Sequence, residues 1–188
     1  INLLRKTFKM NAELKLGNWY REYGNELSEK TVLIIGFGKI GQKVGSILKT
    51  IGSEIIFTDP FVKSLSGSGF RKVDLHDGIA LADIIVLHAS GNEVLLAKKE
   101  FDLMKKGVII CNPARGELIN EKDLIFAIKN DIIGGIWLDT FATEPYKGEI
   151  VNYEKVICTS HLSSYTYECR EKMENTAVDN LINKFKWK

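Results

Sequence analysis

Apolar residues along this 188-residue chain fall into two alternating patterns. Runs such as "TVLIIG" (31–36), "SEIIFTD", "IIVLHAS", "VIICNP", "DIIGGIWLDTF" and "KVICTS" are nearly continuous and rich in β-branched residues. Between them lie stretches whose apolar positions are three and four apart: "KIGQKVGSILKTIG", "LHDGIALAD", "KKEFDLMKKG" and "NEKDLIFAIKN". Strands without polar alternation are buried on both faces, and helices of this spacing can cover them. The alternation predicts βαβ units in an α/β fold, a doubly wound parallel sheet of the Rossmann type covered on both faces.

The two ends differ from the middle. "LLRKTFKMNAELKLGNWYREYGNELSEK" predicts a charged helix followed by an aromatic, glycine-punctuated arm, which separates residues 1–28 from a main domain over 29–188. "SYTYECREKMENTAVDNLINKFKWK" carries Cys169, Met173, Ala177 and Leu181 at four-residue spacing. It predicts a long amphipathic helix that frays at "KFKWK".

Charge and cysteine content narrow the partners. Twenty-six basic against 24 acidic residues leave a net charge of +2, too small to suggest nucleic acid or a membrane surface. No apolar run reaches the roughly 18 residues of a span, and the N-terminus lacks the small-residue cleavage site of a signal peptide. A cytoplasmic protein is expected. Cys111, Cys158 and Cys169 are odd in number and lack metal-ligand spacing, so reduced cysteines and no metal site are expected. The chain opens on Ile1 rather than Met, which suggests an excised domain or a truncated product.

"IIGFGKIG" places Gly36, Gly38 and Gly41 in G-x-G-x-x-G spacing after a strand and at the start of a helix. Such glycines allow a tight turn, close approach to a pyrophosphate and close helix–strand packing; the helix N-terminus offers free N–H groups to phosphate. The next strand ends in Asp59, where a carboxylate can take both ribose hydroxyls of an adenosine and repel a 2′-phosphate. A plain glycine turn with a surface Asp is the alternative. The context favours a dinucleotide, NAD over NADP.

Three further polar residues follow strands, at the edge where α/β sheets bind ligands. Arg115 follows "VIICNPA", Glu144 follows "GGIWLDTFAT" and His161 follows "KVICTS". Singly, each also suits a solvated loop. Together they supply a guanidinium for a carboxylate, an acid/base near neutral pH and a carboxylate to orient the imidazole. With NAD as hydride carrier, these are the parts for interconverting 2-hydroxy and 2-oxo acids.

At these residues the sequence resembles the D-isomer-specific 2-hydroxyacid dehydrogenases, over nearly its whole length. "ELSEKTVLIIGFGKIGQKV" is similar to the family's cofactor-loop segment. "LMKKGVIICNPARGELINEKDLIFAI" resembles the stretch around the substrate-binding arginine, with Asn112 to Gly116 as its Asn-x-Ala-Arg-Gly core. "GGIWLDTFATEPY" and "ICTSHLSSYTYECREKM" resemble the acidic and catalytic-histidine segments.

The resemblance implies that Arg115 binds the substrate carboxylate and that Glu144 tunes His161, the acid/base. It places NAD on Gly36, Gly38, Lys39, Ile40, Gly41, Asp59, Pro113 and Ala114, with Asp139 at the nicotinamide carboxamide. It implies a homodimer through residues 1–28, where Trp19, Tyr20 and Tyr23 suit an interface. Aromatics folded back on the chain's own core remain the alternative.

The sequence also departs from the family. Ser160 stands where the family has proline before the histidine, and the segment after His88 is shorter and lacks Pro-Leu-Thr. The second domain that closes over substrate is largely absent, so this chain alone is expected to bind NAD and turn over poorly. Oxidation of 3-phosphoglycerate and reduction of hydroxypyruvate or glyoxylate both remain open. So does an NAD-sensing, corepressor-like scaffold of the same fold.

Overall fold

A computed structural model of the chain describes residues 1–63, 67 and 69–185. Two short helices, α1 (Asn2–Arg5) and α2 (Thr7–Lys15), precede an arm without regular structure. Then follow β1 (Thr31–Ile35), α3 (Lys39–Thr50), β2 (Glu54–Thr58), β3 (Arg71–Lys72), α4 (Leu75–Leu81), β4 (Ile84–Leu87) and α5 (Lys98–Leu103). After these come β5 (Val108–Asn112), α6 (Glu121–Lys129), β6 (Ile133–Leu138), β7 (Val156–Cys158) and α7 (Tyr167–Phe185).

The strands form one seven-stranded sheet in the order β3-β2-β1-β4-β5-β6-β7, with every pair parallel. The chain steps outward from β1 to β3, then returns to lay β4 on the other side of β1. That reversal opens a crevice above the carboxyl ends of β1 and β4, the place where such sheets take ligands.

Sequence pattern explains the two cores. Alternate strand residues Leu33, Ile56, Ile85 and Ile110 pack beneath α4, α5 and α6, through Ile79, Phe101 and Leu124. The opposite set, including Val32, Ile34, Ile55 and Val86, packs beneath α3 and Leu4 of α1. A fully buried side chain of this size contributes about 1.5–3 kcal/mol, so both faces hold the sheet.

Coverage of the second face is incomplete, which differs from the sequence expectation. A groove of ≈ 760 Å³ lies between α1 and α3, floored by Ile84, Val86, Ile109 and Trp137. Helix α7 forms as expected, yet none of its residues is buried. Four-residue spacing dictates a helix with an apolar stripe; it does not dictate that the stripe meets the sheet. The last three residues of "KFKWK" lie outside the described residues. In the arm, Trp19 is 80% and Tyr23 100% exposed, so these aromatics do not fold back on the core.

Candidate active site

Because all the strands are parallel, their carboxyl ends share one edge, and the candidate cofactor and catalytic residues follow strands at that edge. Gly36 follows β1, with φ +91°, and an added Cβ would sit 2.3 Å from Ala89 N at the end of β4. Phe37 is fully buried and stacks on Phe57 with centroids 4.0 Å apart. This ring anchors the glycine loop to the sheet. Gly38 is the N-cap of α3 and lends no side chain to the first turn, whose N–H groups stay open. An added Cβ at Gly41 would lie 2.3 Å from Gly36 O, so its absence lets helix and loop touch. Lys39 and Ile40 open α3 on the exposed side.

Asp59 closes the loop from the end of β2. Its Oδ2 accepts from Phe37 N at 2.7 Å, and its Oδ1 accepts from Phe61 N at 2.8 Å and Val62 N at 3.0 Å. Burial would raise this carboxyl, but the three N–H donors outweigh it and hold the group below the ordinary carboxylate range. Asp59 is therefore charged, and it ties the glycine loop to the carboxyl end of β2.

The next loop is built by Asn112. It is fully buried at the end of β5. Its Oδ1 accepts from Ala114 N at 3.1 Å, an Asx turn, and its Nδ2 donates to Arg115 O at 2.8 Å. This turn sets out Pro113 and Ala114, both half-buried, and exposes Arg115. The guanidinium donates to Ala114 O at 2.7 Å. Among the described residues it pairs with no carboxylate, so its charge is available to a ligand.

Glu144 and His161 are brought together. Glu144 Oε2 lies 3.1 Å from His161 Nδ1, and Glu144 Oε1 accepts from Phe141 N at 3.0 Å. The hydrogen bond from His161, followed by that from Phe141 N–H, holds the Glu144 carboxyl below its ordinary range. An ionised carboxylate only accepts, so Nδ1 carries the proton and Nε2 is left for a ligand. The imidazole is half exposed, and its backbone is left-handed at φ 56°. That conformation costs a non-glycine residue roughly 1–2 kcal/mol, so something must hold it.

Asp139 meets that need. It has no exposed surface. Its Oδ1 accepts from Thr159 Oγ1 at 2.5 Å and Leu162 N at 2.9 Å. Its Oδ2 accepts from Ser163 N at 3.0 Å and from the Ser163 hydroxyl. Its carbonyl accepts from His161 N at 2.8 Å. Burial would raise the Asp139 carboxyl, but bonds from Ser163, Thr159 and Leu162 overcome this and lower it. The residue expected at the nicotinamide carboxamide thus spends its carboxylate on the His161 loop.

Among the described residues, the buried Nε2 of His88, at the end of β4, finds no hydrogen-bond partner, and burial lowers its pKa. Cys111 is partly buried, and desolvation pushes its thiol up to about 11; all three cysteines are free. Among the described residues no His, Cys, Asp and Glu group is placed to hold a metal, and no helix is long and apolar enough to cross a membrane.

Comparison with known proteins decides the family. The description "D-isomer specific 2-hydroxyacid dehydrogenase, NAD binding domain" matches residues 1–163. The chain belongs to this family.

Relatives of this NAD-binding domain are spread across its enzymes. The chain is 35% identical to a hydroxypyruvate reductase of Blautia hydrogenotrophica, over 83% of this chain and 50% of that one. It is 31% identical to D-3-phosphoglycerate dehydrogenase 3, chloroplastic, of Arabidopsis thaliana, over 96% of this chain and 32% of that one. Its fold is similar to D-lactate dehydrogenase from Escherichia coli, with a TM-score of 0.89 and 31% identity, covering 98% of this chain and 61% of that one. The chain therefore spans less than two thirds of each of these proteins.

The loop at β1 fits NAD on steric grounds. An added Cβ at Gly38 would meet nothing within 4 Å, so the space over the α3 N-terminus is open to a pyrophosphate. Sequence reading did not find Phe37 or Thr159, and it named Asn112 only as the start of the Asn-x-Ala-Arg-Gly core, without its role in the turn. A large apolar residue between two loop glycines, and an Asn before Pro at a strand end, are usable signals for Phe37 and for the Asn112 turn. Nothing local marks Thr159, whose partners are 20 and 22 residues away.

Proposed function

We propose that this chain is the cofactor-binding part of an NAD-dependent dehydrogenase acting on small 2-hydroxy or 2-oxo acids. The contact between Glu144 and His161 carries the proposal, because it presents an oriented imidazole at the same sheet edge as the glycine loop and as Arg115, which pairs with no carboxylate among the described residues. NAD, when bound, carries the hydride. Arg115 holds the substrate carboxylate. His161 Nε2 donates its proton to the carbonyl oxygen in reduction and takes it back in oxidation. Glu144 keeps Nδ1 protonated and stabilises the imidazolium. Asp139 supports the nicotinamide end through the loop that it holds, with Pro113 and Ala114 along the cofactor path.

The test is a panel of hydroxypyruvate, glyoxylate and 3-phosphohydroxypyruvate with NADH, run on the full-length protein and its Arg115→Ala variant. Turnover of at least one acid, with a raised KM in Arg115→Ala, is expected. No turnover, together with specific peptide binding, would favour the NAD-sensing scaffold instead.

Asp59 sets the cofactor preference in this reading. Replacing it with alanine is expected to weaken NADH binding and to narrow the preference for NADH over NADPH by about tenfold. Loosening the loop affects both cofactors equally, so the ratio of the two dissociation constants isolates the charge. An unchanged ratio in fluorescence titration would remove Asp59 from this role.

The exposed aromatics of the arm support a homodimer through residues 1–28, since Trp and Tyr are enriched at interface centres. Sedimentation is expected to show a dimer at micromolar concentration. Its dissociation constant should rise when Trp19 and Tyr23 are both changed to alanine. A monomer throughout that range counts against the dimer.

A further inference from the structure

The loop carrying His161 lacks the proline that the resemblance leads one to expect, and Ser160 imposes no φ of its own. Yet the loop is tied from its far side by a chain of side chains not used in the reaction. Trp137, on β6, directs its indole Nε1 at Thr159 Oγ1, 2.9 Å away. Thr159 Oγ1 in turn lies 2.5 Å from Asp139 Oδ1. Thr159 N also donates to Leu138 O at 3.0 Å, which seats the residue against β6.

The direction of these bonds is forced. An indole N–H can only donate, and an ionised carboxylate can only accept. The hydroxyl between them must accept from Trp137 and give its single proton to Asp139. It has no second rotamer that satisfies both neighbours, so each bond polarises the next. Asp139 Oδ1 is thereby fixed, and the same oxygen receives Leu162 N while Oδ2 receives Ser163. The two residues after His161 are then clamped to β6, and His161 N is bonded to the Asp139 carbonyl. The backbone of His161 is thereby fixed, with Nδ1 of its imidazole 3.1 Å from Glu144 Oε2.

We propose that Trp137 and Thr159 are positioning residues for His161, acting through Asp139 in place of a proline. The proposal rests on the reading of His161 as the acid/base, but the clamp itself can be seen without turnover. Thr159→Val removes the hydroxyl at constant shape. In the full-length protein it is expected to lower kcat about tenfold while KM for the 2-oxo acid stays within about twofold, because misaimed acid and base groups lose rate rather than binding. Thr159→Ser restores the hydroxyl and is expected to restore kcat. Trp137→Phe keeps the ring and loses only the N–H, so a smaller loss of kcat, also without a KM change, is expected.

Hydrogen exchange provides the second readout. In Thr159→Val the Trp137 indole N–H and the Leu162 and Ser163 amides are expected to exchange faster, while the β1 and β4 amides do not. If the parent protein reduces no 2-oxo acid, the proposed reaction fails, and exchange still decides the clamp. The clamp is refuted if Thr159→Val keeps parental exchange at Leu162 and Ser163. It is equally refuted if Thr159→Ser is as impaired as Thr159→Val, or if the loss appears in KM alone.

Discussion

Replacing His161 with alanine is expected to lower kcat/KM for the preferred 2-oxo acid by about a thousandfold, in the range for loss of a general acid. Affinity for NADH should be nearly unchanged, because the glycine loop and Asp59 lie at the ends of β1 and β2 and His161 follows β7. Glu144→Gln separates the charge from the contact. A glutamine can still face Nδ1 but cannot stabilise an imidazolium, so a smaller loss, about ten- to a hundredfold, is expected. The double variant is the sharper measurement. Glu144 touches His161 at 3.1 Å and acts through it, so removing both should cost no more than removing His161 alone. Full additivity would give Glu144 an independent task, and full activity in His161→Ala would remove the acid/base assignment.

The difference between what local sequence could and could not reveal follows the range of the forces involved. The sheet was legible because burial on both faces forces uninterrupted runs such as Ile34–Ile35 and Ile84–Leu87, and a parallel sheet needs helices between its strands. The glycine loop was legible because close approach admits only one residue type: a Cβ at Gly41 would strike the backbone of Gly36. Arg115, Glu144 and His161 stood out as polar residues just past strands, where ligands bind. The support beneath them did not stand out. Asp139 serves the His161 loop because β6 and β7 lie side by side, a pairing between segments about 20 residues apart that no local pattern encodes. The exposed stripe of α7 was missed for the same reason. Spacing predicts a helix, whereas only tertiary packing determines what it meets.

Gly116 shows how one small residue can hold two site loops in register, and its substitution should have a comparably large effect. An added Cβ would lie 2.0 Å from Phe141 C and 2.1 Å from Ala142 N, both backbone atoms that no rotamer change can move. Phe141 is also held from its other side, by the stacking of its ring on Tyr146 with centroids 4.4 Å apart. Gly116→Ala must therefore push the loop of Arg115 away from the segment that carries Glu144, by about an ångström or more to reach normal contact. Overpacking of this kind costs about 1–3 kcal/mol of stability, read as a lower Tm. The larger effect is on turnover, with kcat/KM falling about a hundredfold as the arginine and the imidazole lose their shared geometry. Gly38→Ala is the counterpart, since a methyl group there meets no protein atom but occupies the space open to a pyrophosphate. It should leave Tm almost unchanged and weaken NADH binding, whereas Gly116→Ala should spare NADH binding and lose turnover. If both variants lost NADH affinity alike, Gly116 would belong to the cofactor site rather than to the joint between Arg115 and Glu144.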